Sequence, residues 1–420
     1  MRELKDSGAR WIGAVPFTWS VDKLKYHLKR NEPRNPGDKT VLSLYRELGV
    51  IPKDSRDDNH NVTSEDTSKY KYVRPGDFVI NKMKAWQGSV AVSDYEGIVS
   101  PAYYVYNFTD DSFYKRYFHY LLRSCYKDEF MRLSGGIRVG QWDLPSEALD
   151  NVLVIIPPKT EQERIASFLD KKCAEIEETI EELNSQVETL EQYKRSVVIE
   201  TVLHGMDSAA AQKDSGISYV GTIPANWIIH PVYYYFGERK NKNILGNEQN
   251  LLSLSYGKVI RKDINTSEGL LPESFNTYNI IEAGDIVIRP TDLQNDKRSL
   301  RTGLSTERGI ITSAYIALQP IRKVNSAYFQ YLLHAFDLMK VFYNMGNGVR
   351  QGLNFAEFSK LLVFEPPIDE QDSIVAFLNS KCDEIDLIIV DMNEQITILD
   401  EYKKTLIFEY VTGKKEVPSA

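Results

Sequence analysis

The stretch "NKMKAWQGS", Asn81–Ser89, places Lys82, Lys84, Trp86 and Gln87 on one short polar-aromatic segment. A second stretch, "RPTDLQNDKRSLRTG", begins at Arg289 and carries Gln294, Arg298 and Arg301. Ammonium groups at Lys82 and Lys84 can meet phosphates. Gln87, Arg289, Gln294, Arg298 and Arg301 have the donor and acceptor geometry for base edges. Two Gly-containing turns add candidates: "GGIRVG" from Gly135, with Arg138 and then Gln141, and "NGVRQG" from Asn347, with Arg350, Gln351 and then Asn354. Backbone amides in such turns can also hold phosphates. An ordinary exposed basic loop has the same composition, so both readings stay open for these residues.

No motif for bond-making chemistry accompanies them. The chain has no G-x-x-x-x-G-K-[ST] phosphate loop, no H-E-x-x-H and no G-x-G-x-x-G after a strand. An Asn/Asp-Pro-Pro-aromatic motif for base methylation is missing, because Lys159 and Ile368 follow the two Pro-Pro pairs. The histidines, His27, His60, His119, His204, His230 and His334, are scattered. Cys125, Cys173 and Cys382 form no CxxC pair, so neither a zinc site nor a disulfide framework is expected. No metal and no cofactor of the chain's own are expected.

The elements that must position the two stretches are duplicated. "KDSGARWIGAVPFTW" (Lys5–Trp19) returns as "KDSGISYVGTIPANW" (Lys213–Trp227). "VRPGDFVI" at Val73 returns as "IEAGDIVI" at Ile281, and "GIVSPAY" at Gly97 as "GIITSAY" at Gly309. "YFHYLL" at Tyr117 returns as "YFQYLL" at Tyr328. "PPKTEQERIASFLDKKCAEI" at Pro157 returns as "PPIDEQDSIVAFLNSKCDEI" at Pro366. A unit of roughly 210 residues is therefore written twice, too long for a solenoid repeat. Both candidate loops follow the same "GDxVI" strand, so the framing strand is kept while the loop changes wholly. That is how an interchangeable loop on a fixed scaffold behaves.

Charge is unevenly placed. The net charge of -8 divides into +2 for residues 1–158, -6 for 159–207, +3 for 208–367 and -7 for 368–420. Phosphate binding depends on local charge, so the global sign does not exclude a nucleic-acid partner. No apolar run reaches the length of a membrane span and no signal-peptide pattern opens the chain, which points to a reducing cytoplasm.

The acidic segments read as long helices. Ile176, Ile180, Leu183, Val187, Leu190, Lys194, Val197 and Thr201 alternate four and three apart, a heptad seam. Ile385, Ile389, Met392, Ile396, Leu399, Lys403, Leu406 and Tyr410 repeat it. Pro157-Pro158 and Pro366-Pro367 precede the helices, Thr160 and Asp369 are suitable N-caps, and Gly205 and Gly413 are stop signals. The simplest partner for each seam is the other helix, antiparallel, giving pseudo-two-fold symmetry. Lys194 and Lys403 then set register with their ammonium groups turned outward; a phosphate contact is the other reading. The remaining segments show short strands broken by Pro-Gly and Gly-Asp turns, and a helix with Phe118, Leu121, Leu122 and Cys125 on one face. Trp19 and Trp227 read as core anchors ahead of base stackers. The expected class is α+β: two pseudo-repeated α/β domains, 1–158 and 208–367, separated by two long antiparallel coiled-coil helices, 159–207 and 368–420.

The doubled "D-S-G…G-x-x-P-x-x-W" opening and the doubled "PP-x-x-E-Q" helix start resemble the DNA-specificity subunits of type I restriction–modification systems along the full chain. The resemblance implies that each α/β domain is a target recognition domain reading one half of a bipartite site in double-stranded DNA. It implies that the coiled helices act as a spacer and dock two modification (methyltransferase) subunits, restriction subunits joining that core. S-adenosylmethionine is expected on the modification subunits, with no catalysis by this chain. A coiled-coil scaffold without DNA specificity and a single-chain enzyme with an unfamiliar site are the alternatives from other classes.

Overall fold

The computed structural model describes residues 2–418 apart from 47, 56–62, 65, 137–141, 266–273, 292, 294–299 and 346–351. The chain forms two compact units: Met1–Leu183 with Glu394–Ala420, and Asn184–Asn393. These units divide the long helices, whereas the sequence boundaries at 158/159 and 367/368 fall at the helix starts.

In the first unit, β1 (Leu28–Arg30), β2 (Phe78–Asn81), β3 (Val90–Val92) and β4 (Tyr103–Phe108) form an antiparallel sheet in the order β1-β4-β2-β3. Side chains alternate across a strand. Phe78 and Ile80 of β2 therefore face α1 (Lys115–Cys125), whose buried face is Phe118, Leu121, Leu122 and Cys125. Val79 faces the other way, into a smaller cluster with Leu42, Leu44, Val50, Ala91 and Val105. Burial on both faces explains why the strand is apolar throughout. Gly97 is required here: a Cβ would collide with the Thr40 carbonyl oxygen.

A Pro-Pro step ends the strand at Ile156, and α2 (Lys159–His204) begins one residue before the expected cap. The Pro158 carbonyl accepts from the amides of Glu161 and Gln162, so Thr160 lies in the first turn instead of capping it. The "E-Q" pair ties the helix to the domain. Glu161 accepts from Trp19 Nε1 at 3.0 Å. Gln162 is fully buried; its amide nitrogen donates to Pro157 and Ser112 carbonyls at 2.8 and 2.7 Å, and its oxygen accepts from the Tyr114 amide at 2.8 Å.

The second unit repeats this plan. β5 (Phe236–Glu238), β6 (Ile286–Ile288), β7 (Thr302–Leu304) and β8 (Ile316–Pro320) take the order β5-β8-β6-β7, packed on α3 (Ser326–Leu338). A Cβ on Gly309 would meet the Asn250 carbonyl at 2.5 Å. α4 (Ile368–Val411) also starts one residue early, leaving Asp369 in its first turn. Trp227 Nε1 donates to Glu370 at 3.2 Å, and Gln371 donates to the Pro366 carbonyl and accepts from the Asn325 amide. Trp19 and Trp227 are both fully buried, core anchors as expected.

α2 and α4 run antiparallel. In the first unit, Leu406, Tyr410 and Val411 of α4 share a core with Ile165, Leu169 and Ile176 of α2. In the second, Val198 and Val202 of α2 share one with Ile374, Leu378 and Cys382 of α4. Every seam position, from Ile176 to Thr201 and from Ile385 to Tyr410, is buried or half-buried. Lys194 reaches across to Asp386 at 2.6 Å and Lys403 to Glu177, so both lysines set register through interhelical ion pairs. Cys173 and Cys382 are buried in the helix interfaces, and all three cysteines are free thiols. Each helix ends on a left-handed glycine that closes over a tryptophan: Gly413 against Trp19, Gly205 against Trp227.

Candidate nucleic-acid interface

Within the first unit, β2 runs directly into the candidate loop. The Asn81 side chain accepts from the Met83 amide at 3.1 Å, and a short turn at Ala85–Gln87 buries Ala85. Trp86 Nε1 donates to the Met83 carbonyl at 3.1 Å, which fixes the loop's curvature. Met83 and Lys84 are exposed at the tip. Gln87 is engaged by Arg46, whose Nη2 donates to its Oε1 at 2.7 Å.

The loop meets the residues that flank the other candidate turn. The Lys82 carbonyl accepts from the Leu144 amide at 3.0 Å, and Lys82 Nζ meets Asp143 at 2.9 Å. The hydrogen bond to Asp143 raises the Lys82 ammonium above its usual range, so it stays charged at neutral pH. Trp86 and Trp142 meet edge to face with ring centroids 5.5 Å apart, both half-buried. Asp143 and Gly135 exchange backbone hydrogen bonds at 2.9 and 3.1 Å, closing the base of the turn. Arg138 and Gln141 lie outside the described residues. Trp142 and Asp143 were missed from sequence; nothing local in "QWDLP" reveals that they come back onto the 81–89 loop.

The second unit makes the same backbone latch between different residues. The Pro290 carbonyl accepts from the Leu353 amide at 2.9 Å, the counterpart of Lys82 and Leu144. Arg289 is exposed at the start of its loop. Gln294, Arg298, Arg350 and Gln351 lie outside the described residues. One expectation, that Arg301 meets a base edge, is corrected, and Asn354 has a structural role. Arg301 is 1% exposed; its amide donates to Asp337 Oδ2 at 3.0 Å, and its guanidinium reaches the Thr291 carbonyl at 2.5 Å and stands 3.8 Å from Asp337 Oδ1. It links Thr291 to Asp337 of α3 and presents no edge to a base. Asn354 caps the short helix Phe355–Phe358, accepting from the Glu357 amide at 2.9 Å while its own amide group donates to the Glu357 carboxylate. Both groups are in structural use.

Among the described residues no group of three or more His, Cys, Asp or Glu side chains could hold a metal ion, and no helix is long and apolar enough to cross a membrane. The exposed and latched groups of the candidate interface are Lys82, Lys84, Trp86, Trp142 and Asp143 in one unit and Arg289 in the other.

Residues 27–189 match the family of the type I restriction modification DNA specificity domain. A relative from Methanocaldococcus jannaschii, provisionally named the type I restriction enzyme MjaX specificity subunit, is 24% identical and aligns over 97% of this chain and 96% of its own length. A solved chain from work on complex assembly and conformational transition of the type I R-M system superposes with a TM-score of 0.71 at 14% identity, covering 96% of this chain and 99% of that one. The HsdS subunit from Thermoanaerobacter tengcongensis superposes with a TM-score of 0.54 at 14% identity, covering 96% and 98%. The α+β fold and the likeness to type I specificity subunits thus extend over nearly the whole chain.

Proposed function

We propose, from the premise that residues 27–189 match the family of the type I restriction modification DNA specificity domain, that this chain is the sequence-reading subunit of a type I restriction–modification complex. Each α/β domain reads one half of a bipartite, asymmetric site in duplex DNA. The paired helices dock two modification subunits, and restriction subunits join that assembly. Methyl transfer from S-adenosylmethionine occurs on the modification subunits; this chain performs no catalysis and works in the cytoplasm.

One observation carries the reading. In both units a backbone hydrogen bond at the same scaffold position, Leu144 to Lys82 and Leu353 to Pro290, ties the segment that follows the Gly-containing turn to the start of the loop after "GDxVI". The sequences of these segments differ between the units, as two readers of two sequences require. Lys84 and Arg289 are exposed to meet phosphates or base edges.

The test is to co-express the chain with the methyltransferase encoded beside it and map methylated adenines across the genome. A two-part motif that appears only when this chain is present is the expected result. Methylation without the chain, or no sequence-selective binding with partners present, overturns the reading and leaves a coiled-coil scaffold. Labelled methyl transfer by the purified chain alone would show an enzyme instead.

A further inference from the structure

Around Tyr104 of the first unit the chain assembles a charged cluster that the scaffold does not need. Arg30, at the end of β1, stacks its guanidinium over the Tyr104 ring, 4.4 Å from the centroid. Lys71 lies over the same ring at 5.5 Å. Glu32 braces both: its carboxylate is 2.8 Å from Arg30 Nε, 2.9 Å from Arg30 Nη2 and 2.9 Å from Lys71 Nζ. Burial alone would raise the Glu32 carboxyl, yet its bonds to Arg30 and Lys71 hold it below its ordinary value, so the brace is ionised.

This cluster adjoins the candidate interface. Tyr104 pairs with Ile80 across the sheet, and Ile80 shares its face with Lys82 two residues on. Lys82 also feels the charge of Arg30. The corresponding positions of the second unit are Glu238, Lys240, Asn279 and Ile316, and there the nearest ion pair, Lys240 to Glu238 at 2.8 Å, has the signs exchanged. Since the same sheet forms with and without the cluster, folding does not demand it.

Arg30 is held on one edge only. Its Nε and Nη2 face Glu32, its ring-facing side rests on Tyr104, and among the described residues Nη1 has no hydrogen-bond partner. The side chain remains 42% exposed. A planar fork fixed by an ion pair and an aromatic face, with its outer edge open, suits bidentate donation to a guanine. We propose that Arg30 is a specificity-determining residue of the first domain, donating from Nη1 and Nη2 to O6 and N7 of a guanine in its half-site, with Glu32 and Tyr104 as positioning residues. The proposal rests on the reading of the chain as a DNA-specificity subunit.

The experiment uses the full chain co-purified with its methyltransferase subunits. Binding is measured on duplexes carrying each single base-pair change in both half-sites, and 7-deazaguanine, which lacks the N7 acceptor, at each guanine. The expected result is that Arg30→Ala removes about ten- to hundredfold of preference at one G·C pair of one half-site and leaves the other half-site unchanged. Arg30→Lys, which loses the fork and keeps the charge, should lose the same preference. 7-Deazaguanine at that position should weaken the wild type and leave Arg30→Ala unaffected. The analogue scan on the wild type alone decides the matter if the variants do not fold. Uniform weakening on all sequences would make Arg30 a phosphate contact; unchanged preferences, or wild-type indifference to 7-deazaguanine throughout that half-site, also overturn the proposal. A wild-type complex with no sequence preference removes the specificity-subunit reading as well, and that outcome is distinct from the others.

Discussion

At the scale of single residues, type and exposure part company most sharply at Arg301. An arginine in a basic stretch reads as a ligand for DNA, but its partner Asp337 comes from α3, far along the chain, and only the fold brings them together. Arg301→Ala leaves a carboxylate buried without its cation, which costs about 3–5 kcal/mol; urea unfolding should show a loss of that size, while an Arg301→Met and Asp337→Leu pair should lose less. The exposure of Lys84 and Arg289 was legible, because polar residues on a connecting loop stay at the surface. Arg30 was not legible, since a lone arginine in "HLKRNEP" carries no sign of the tyrosine it stacks on. Two histidines give a pH dependence. Burial, then Arg123 and Arg116, pulls His119 down to about 3; burial, then Lys194 and Arg195, pulls His334 down to about 4. Unfolded, each titrates near 6.5, so below that pH the unfolded chain takes up protons that the folded one refuses. Their stabilisation is complete above about pH 6.5 and is lost as pH falls towards 4. Melting temperature should drop between pH 7 and pH 5, and His334→Gln should make the drop smaller; an equal drop would show that other groups govern it.

At the scale of elements, periodicity made the long helices readable. A heptad seam is a local pattern, and every residue assigned to it turned out buried or half-buried. The repeated "E-Q" was legible as a marker but not as a device. Its purpose depends on Trp19, Ser112, Tyr114 and Pro157, gathered from across the first domain. The device makes a strict demand: two carbonyls require donors and one amide requires an acceptor, and an amide side chain supplies both. Gln162→Glu keeps the shape and removes the donors. Leaving buried acceptors unmatched costs about 1–3 kcal/mol each, so this variant should lose roughly 2 kcal/mol or more by denaturant unfolding. Gln371→Glu should behave similarly in the second unit; a neutral result would mean that the protonated acid replaces the amide. The caps were less legible because the Pro158 carbonyl, and not a hydroxyl, opens α2.

At the scale of the whole molecule, the duplication was legible in sequence, while the division of each helix between two units was not, because contacts and not composition draw that line. The interhelical ion pairs fix a register in which Leu190 faces the neighbourhood of Val390. A length change that preserves the seam should therefore add seven residues after Leu190 and seven after Ile389, and not at the sequence-equivalent Leu399. One heptad adds about 10.5 Å of helix, close to three base pairs at about 3.4 Å each. If the coil sets the gap between half-sites, methylome mapping of the double insertion should show a gap longer by about three base pairs with both half-sites unchanged; an unchanged gap would make the coil a dock and not a ruler. The division of the helices also has a consequence for synthesis. The first unit's core includes Leu406, Tyr410 and Val411, and Gly413 closes on Trp19, so the part of the protein translated first is the part completed last. Its nascent core waits while residues 184–393 are made, about 10–40 s at ~5–20 residues per second. During that interval Trp19, Leu169 and Ile176 lack their final cover, and the second unit, continuous in sequence, is the one able to close first on the ribosome.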